Sequence, residues 1–131
     1  MTDLAIVAGP RDPRFGVPDA ARDCPLEQAI HTVSGRWKML LLRALFLGGE
    51  QRFNALLRAA PGISAKELTR NLRELEQSGL VVRAFDKGGA TYGLSPLGET
   101  MLPVFRELGA FGARLRARQD EARRVSRAIE A

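Results

Sequence analysis

Lys66, Arg70, Arg73 and Gln77 follow one another at intervals of four, three and four residues. At about 100° per residue on a helix they share one face, and Leu68, Leu72 and Leu75 share the opposite one. Glu67 and Glu74 lie to the side. A helix built this way buries leucines and presents three cations and an amide in one row. Those types suit the edges of base pairs: arginine can bond guanine through two hydrogen bonds, and glutamine can do the same to adenine. Lys66, nearer the start, suits a phosphate. A second chemistry is open to Cys24, which stands immediately before Pro25. A thiol at a helix N-terminus feels the positive end of the helix dipole, which favours thiolate. Arg22 would help this and Asp23 would oppose it. The plainer role for Cys24 is a small apolar residue packed under the first helix.

Other chemistries are poorly supplied. There is one cysteine and one histidine, so an internal disulfide is excluded and a four-ligand zinc site is not expected. No paired carboxylates stand in a glycine-rich setting, and there is no nucleophile elbow or phosphate loop, so the chain does not read as an enzyme. No cofactor is expected. His31 reads as a surface or interface residue, and Trp37 and Phe53 as core residues by their spacing.

The elements that must position these residues follow from periodicity and punctuation. Asp23-Cys24-Pro25 opens a helix, with Pro25 tolerated in the first turn because its missing N–H would be unpaired there. Leu26, Ala29, Ile30 and Val33 form its apolar stripe, and Ser34-Gly35 breaks it. Trp37, Leu40, Leu41, Ala44 and Leu45 give a second helix with one buried face, closed by Gly48-Gly49. Gln51-Arg52-Phe53 opens a third helix, whose face is Phe53, Leu56, Leu57 and Ala60 and whose stop is Pro61-Gly62. Ser64 and Glu67 then form a capping box, and Ile63 with Leu68 a hydrophobic staple, at the start of the cationic helix. Ser78-Gly79 ends that helix. Residues 80–85 read as a strand, Asp86-Lys87-Gly88-Gly89 as a turn and 90–94 as the returning strand. Ser95-Pro96 restarts a helix, on which Met101, Leu102, Phe105, Leu108, Phe111 and Leu115 make a long apolar stripe. The remaining arginines fall on a solvated, fraying helix end.

Two short helices joined by a tight turn and followed by a hairpin spell a helix-turn-helix with a wing, in which the second helix enters the DNA major groove. The fold expected is therefore mainly α with a small β-hairpin. Arg83 and Lys87 are the cations of the hairpin, and Gly88 and Gly89 allow close approach to a sugar-phosphate backbone. Length and charge agree with this reading. The 131 residues make one domain, with 45% hydrophobic and 27% charged residues. The net charge of +5 is concentrated in the middle: residues 24–95 carry ten Lys/Arg against six acids, whereas 1–23 carry three against four. A basic centre on a small domain suits an anionic partner. No run of about 18 apolar residues is present, so no membrane association is expected. The start shows no secretion signal, and the single cysteine fits the cytoplasm.

The motifs C-P-x-E from Cys24, G-R-W at 35–37 and R-F-N-x-L from Arg52 lead into P-G-I-S-x-K-x-L-T-x-x-L-R-x-L-E-x-x-G-L-V from Pro61, with Y-x-L-S-x-x-G closing from Tyr92. This run, from about Cys24 to about Phe111, resembles the HxlR-type winged-helix transcriptional regulators, relatives of the MarR regulators. The resemblance implies a homodimer joined through the N- and C-terminal helices and bound to a pseudo-palindromic operator. It implies that 64–78 is the recognition helix, with Ser64, Lys66, Thr69, Arg70 and Arg73 as contacts and Arg52 on the DNA backbone. It also points to Cys24 as a redox sensor, because several family members sense oxidants at this C-P position. The effector would be an oxidant or a small molecule. The organisation expected is an arm at 1–23, the domain at 24–113 and an Arg-rich helix or tail at 114–131. The wing departs from the family pattern: the V-P-P-R-V-E-Y run is absent, and F-D-K-G-G-A-T-Y stands at 85–92. The alternative reading is a winged-helix module that binds protein and not DNA. Such modules lose the basic row, which this chain keeps.

Overall fold

The computed structural model describes residues 24–130. The arm expected at 1–23 lies outside the described residues. The chain runs α1 (Pro25–Val33), α2 (Lys38–Gly48), β1 (Gln51–Arg52), α3 (Phe53–Ala59), α4 (Ala65–Gln77), β2 (Val81–Asp86), β3 (Gly89–Leu94), α5 (Pro96–Glu99) and α6 (Leu102–Glu130). One apolar core gathers the inward faces of α2, α3 and α4: Leu41, Leu42 and Leu45, then Leu56 with Ala60 just past the end of α3, then Leu68, Leu72 and Leu75. Trp37, Ile63, Leu80 and Val81 complete it. Phe53 packs against this core, as its spacing requires.

Local chemistry sets the boundaries. Gly49 takes φ +73° and returns its N–H to the Leu45 carbonyl at 2.9 Å, ending α2 in a left-handed conformation open to glycine. Gln51 and Arg52, expected at the start of a helix, instead pair with Tyr92 and Thr91 as a short strand. The hairpin therefore becomes a three-stranded antiparallel sheet of order β1-β3-β2. The hairpin register runs from Val81 opposite Leu94 to Asp86 opposite Gly89.

The helix expected to run on from Ser95 is two helices. Thr100 donates its hydroxyl to the Leu97 carbonyl at 2.5 Å, and i→i+3 backbone bonds close at Thr100 and Met101. That tightened turn ends α5, and α6 begins at Leu102. Gly98 sits where α5 presses on the start of β2: a Cβ there would meet the Leu80 carbonyl oxygen at 2.2 Å. The first part of the α6 stripe packs, with Phe105 against Phe46 at 5.9 Å between ring centres. Beyond it Leu108, Phe111 and Leu115 are exposed, as are Leu26 and Ile30 of α1. Both terminal helices thus show apolar stripes that the described residues do not cover. The arginine-bearing end continues as helix to Glu130.

Candidate nucleic-acid interface

The cationic helix is held from both ends. Ser64 Oγ accepts the Glu67 N–H at 3.0 Å, and the Ser64 N–H donates to Glu67 Oε1 at 3.0 Å, so the capping box is complete. Ile63 and Leu68 of the staple are both buried. The other oxygen of Glu67 accepts Trp37 Nε1–H at 3.4 Å, tying the start of α4 to the start of α2. The bond from the Ser64 backbone, joined by that from its hydroxyl, holds the Glu67 carboxyl below its usual pKa. One turn before the end, Lys38 Nζ donates to Glu74 Oε1 at 2.6 Å, and Lys38 is only 12% exposed. That hydrogen bond keeps Glu74 below its usual pKa as well. Asn71, buried between these acids, donates to the Glu67 carbonyl at 2.7 Å. The acids at the side of the row therefore hold α4 in place.

The other face is open. Ser64, Lys66, Thr69, Arg70, Arg73 and Gln77 are all exposed. Arg70 lies 3.8 Å from Glu74, a loose surface pair. The sheet places the remaining cations beside this helix. Arg83 on β2 reaches Glu76 on the last turn of α4 at 3.7 Å, and its guanidinium lies over the Phe85 ring at 5.4 Å. Arg52 Nη2 donates to both oxygens of Asp86 at 2.7 Å, across the sheet from β1 to the end of β2. Asp86 also accepts the Gly88 N–H at 2.8 Å, which shapes the wing turn and leaves Lys87 exposed at its tip. The Arg52 bond is the main cause of the low pKa of Asp86. An open groove of about 650 Å³ lies between the wing turn and α3, with Arg52, Asn54, Arg58 and Gly88 on its walls.

The row on α4 is thus together, Arg83 is joined to it through Glu76, and Arg52 with Lys87 forms a second group at the wing turn. Sequence reasoning missed Asp86 as the partner of Arg52 and Lys38 as the partner of Glu74. It also missed Phe85, 71% exposed near the wing tip. Its exposure was open to inference, since Val81, Arg83 and Phe85 alternate on one face of β2 and the strand outruns the core. Cys24 stands at the N-cap of α1, its carbonyl accepting the Gln28 N–H at 3.0 Å, and it is 5% exposed. His31 is exposed. Among the described residues no three His, Cys, Asp or Glu side chains gather as metal ligands, and no helix is long and apolar enough to cross a membrane.

Comparison with known proteins matches residues 32–120 to the HxlR-like helix-turn-helix family. The HTH-type transcriptional regulator YdeP of Bacillus subtilis (strain 168) is 32% identical over 117 residues, covering 85% of this chain and 91% of YdeP. A transcriptional regulator of the MarR family from Enterococcus faecalis V583 superimposes with a TM-score of 0.65 at 33% identity, over 78% of this chain and 93% of that one. The redox regulator HypR in its reduced form gives a TM-score of 0.65 at 32% identity, over 70% of this chain and 93% of HypR.

Proposed function

Because the chain belongs to the HxlR-like helix-turn-helix family of transcriptional regulators, we propose that it binds a pseudo-palindromic DNA operator as a homodimer, with α4 in the major groove. The observation that carries this reading is the exposed row of Lys66, Arg70, Arg73 and Gln77 on a helix whose other face is core and whose side is pinned by Glu67 and Glu74. A helix held that firmly loses little freedom on binding, so its side chains meet base edges already oriented. Arg70, Arg73 and Gln77 read bases, and Ser64, Lys66 and Thr69 meet the backbone where α4 enters the groove. Arg52, Arg83 and Lys87 contact the flanking phosphates. Arg52 does so by sharing itself between Asp86 and DNA. The uncovered stripes of α1 and α6 support pairing of two chains through the terminal helices. A dimer predicts two half-sites about 10 base pairs apart. Selection of genomic fragments by the reduced protein, followed by footprinting, tests this. Two protected half-sites on one face of the duplex support the reading, and no enriched fragment favours the protein-binding module.

The signal proposed is oxidation at Cys24, in the cytoplasm where the operator is. The N-cap position and the likeness to HypR, named as a redox regulator, support it. The burial of Cys24 makes the reaction depend on opening of the start of α1. Two such thiols from two subunits would lose two protons and two electrons to an oxidant such as diamide and join as a disulfide. With a small thiol the product is a mixed disulfide. A small-molecule effector is the competing signal. Diamide treatment of the wild type and of Cys24→Ser separates the two.

A further inference from the structure

Helix α6 carries a longer pattern than the stripe that ends at Leu115. Val104, Leu108, Phe111 and Leu115 are followed, without a break in the alternation of four and three, by Arg118, Ala122, Val125 and Ile129. All eight are exposed on a continuous helix of 29 residues. A repeat of 3.5 residues drifts slowly on a helix of 3.6 and is the signature of a left-handed two-helix seam. Pro103, Val104, Glu107, Leu108 and Phe111 already line an open groove on its first turns. Ala122, Val125 and Ile129 lie beyond residue 120, where the match to the family ends.

We infer that α6 pairs along its whole length with α6 of a second copy, as an antiparallel two-stranded coiled coil. The inference rests on the reading of the protein as a homodimer. Charge decides both the occupant and its direction. A parallel pair would stack Arg118 against itself in the core, and the flanking positions Glu107, Arg114 and Glu121 would face Gly112, Gln119 and Ser126, with no opposite charge. An antiparallel pair centred between Arg116 and Ala117 sets Leu115 beside Arg118, Phe111 beside Ala122, Leu108 beside Val125 and Val104 beside Ile129. The same register brings Arg114 of one copy to Glu121 of the other, twice by symmetry. Glu121 already accepts a hydrogen bond from Arg124 of its own chain, so its carboxylate stands between two guanidinium groups. Arg118 faces Leu115 in the two central layers, which costs stability and selects this register over slipped ones.

The test uses the full chain. Sedimentation equilibrium of the wild type, Val125→Glu and Ile129→Glu is combined with a spin label at Arg127→Cys in a Cys24→Ser background. Position 127 faces away from the seam, so the label does not disturb it. The antiparallel register separates the two labels by 21 residues along the axis, about 32 Å at 1.5 Å per residue. A parallel pair would bring them to about 20 Å, the helix spacing plus the label arms. The expected result is the long distance, with the dimer dissociation constant raised at least about tenfold in each glutamate variant and unchanged circular dichroism. A dimer with the short distance, or one indifferent to both substitutions, overturns the coiled coil and leaves the homodimer standing. A monomeric wild type overturns both.

Discussion

Leu72 and Arg73 are neighbours in sequence, one buried and the other exposed, so their alanine variants should fail in opposite assays. Leu72 is 2% exposed within the core formed by α2, α3 and α4. Its truncation removes three buried carbons and leaves a cavity among tightly packed leucines. Such changes cost about 2–5 kcal/mol, or a melting temperature lower by about 10–20 °C for a domain of this size. Arg73 is exposed and makes no ion pair among the described residues, so its truncation should change stability by less than about 0.5 kcal/mol. On operator DNA the order reverses. Loss of one arginine bonded to a base costs about 1–3 kcal/mol, or about 5- to 150-fold in affinity. Leu72→Ala, measured where it is still folded, should bind nearly as the wild type does. Urea unfolding followed by the single tryptophan, buried at position 37, gives the first quantity and fluorescence anisotropy the second. The assignment of faces is refuted if Arg73→Ala unfolds more than about 1 kcal/mol more easily while keeping its affinity.

Other outcomes follow from particular contacts. Ser64→Ala removes the hydroxyl that accepts the Glu67 N–H and should cost about 1 kcal/mol in the same urea assay. Glu67, Glu74 and Asp86 all have pKa values held below their ordinary ones in the folded protein. Their contribution to stability is therefore present above the unfolded carboxylate range and lost as pH falls through the folded values. The urea midpoint should decline below about pH 5, and less steeply in Glu74→Gln. Gly98→Ala forces a methyl group onto the Leu80 carbonyl and should destabilise the protein by about 1–3 kcal/mol or more in thermal unfolding. Oxidation by diamide should change DNA binding in the wild type and leave Cys24→Ser unaffected, as read by anisotropy.

What was legible in the sequence was what is local. The capping box, the staple and the leucine face of α4 join residues three to seven apart, and composition at fixed spacing specifies them. Pro25, Gly49 and Ser95-Pro96 mark helix ends for reasons of backbone sterics. The contacts that place α4 and the wing were not legible. Lys38–Glu74 and Arg52–Asp86 span 36 and 34 residues, and only the packed fold and the register of β3 against β1 and β2 bring them together. A strand of two residues has no periodicity to detect, so β1 read as the start of α3. The break between α5 and α6 falls at a turn tightened by i→i+3 backbone bonds, with the Thr100 hydroxyl on the Leu97 carbonyl, and hydrophobic spacing does not record it. The stripe on α6 looked complete at Leu115 because Arg118 interrupts it.

The most direct test of the central claim is anisotropy of the reduced protein on a labelled duplex carrying the selected operator and on a scrambled duplex of equal length, across a salt series. Binding through the α4 row predicts a preference for the operator on the order of a thousandfold. Both affinities should fall steeply as salt rises, because phosphate contacts release counterions. Equal and negligible binding to both duplexes at low salt would contradict the account.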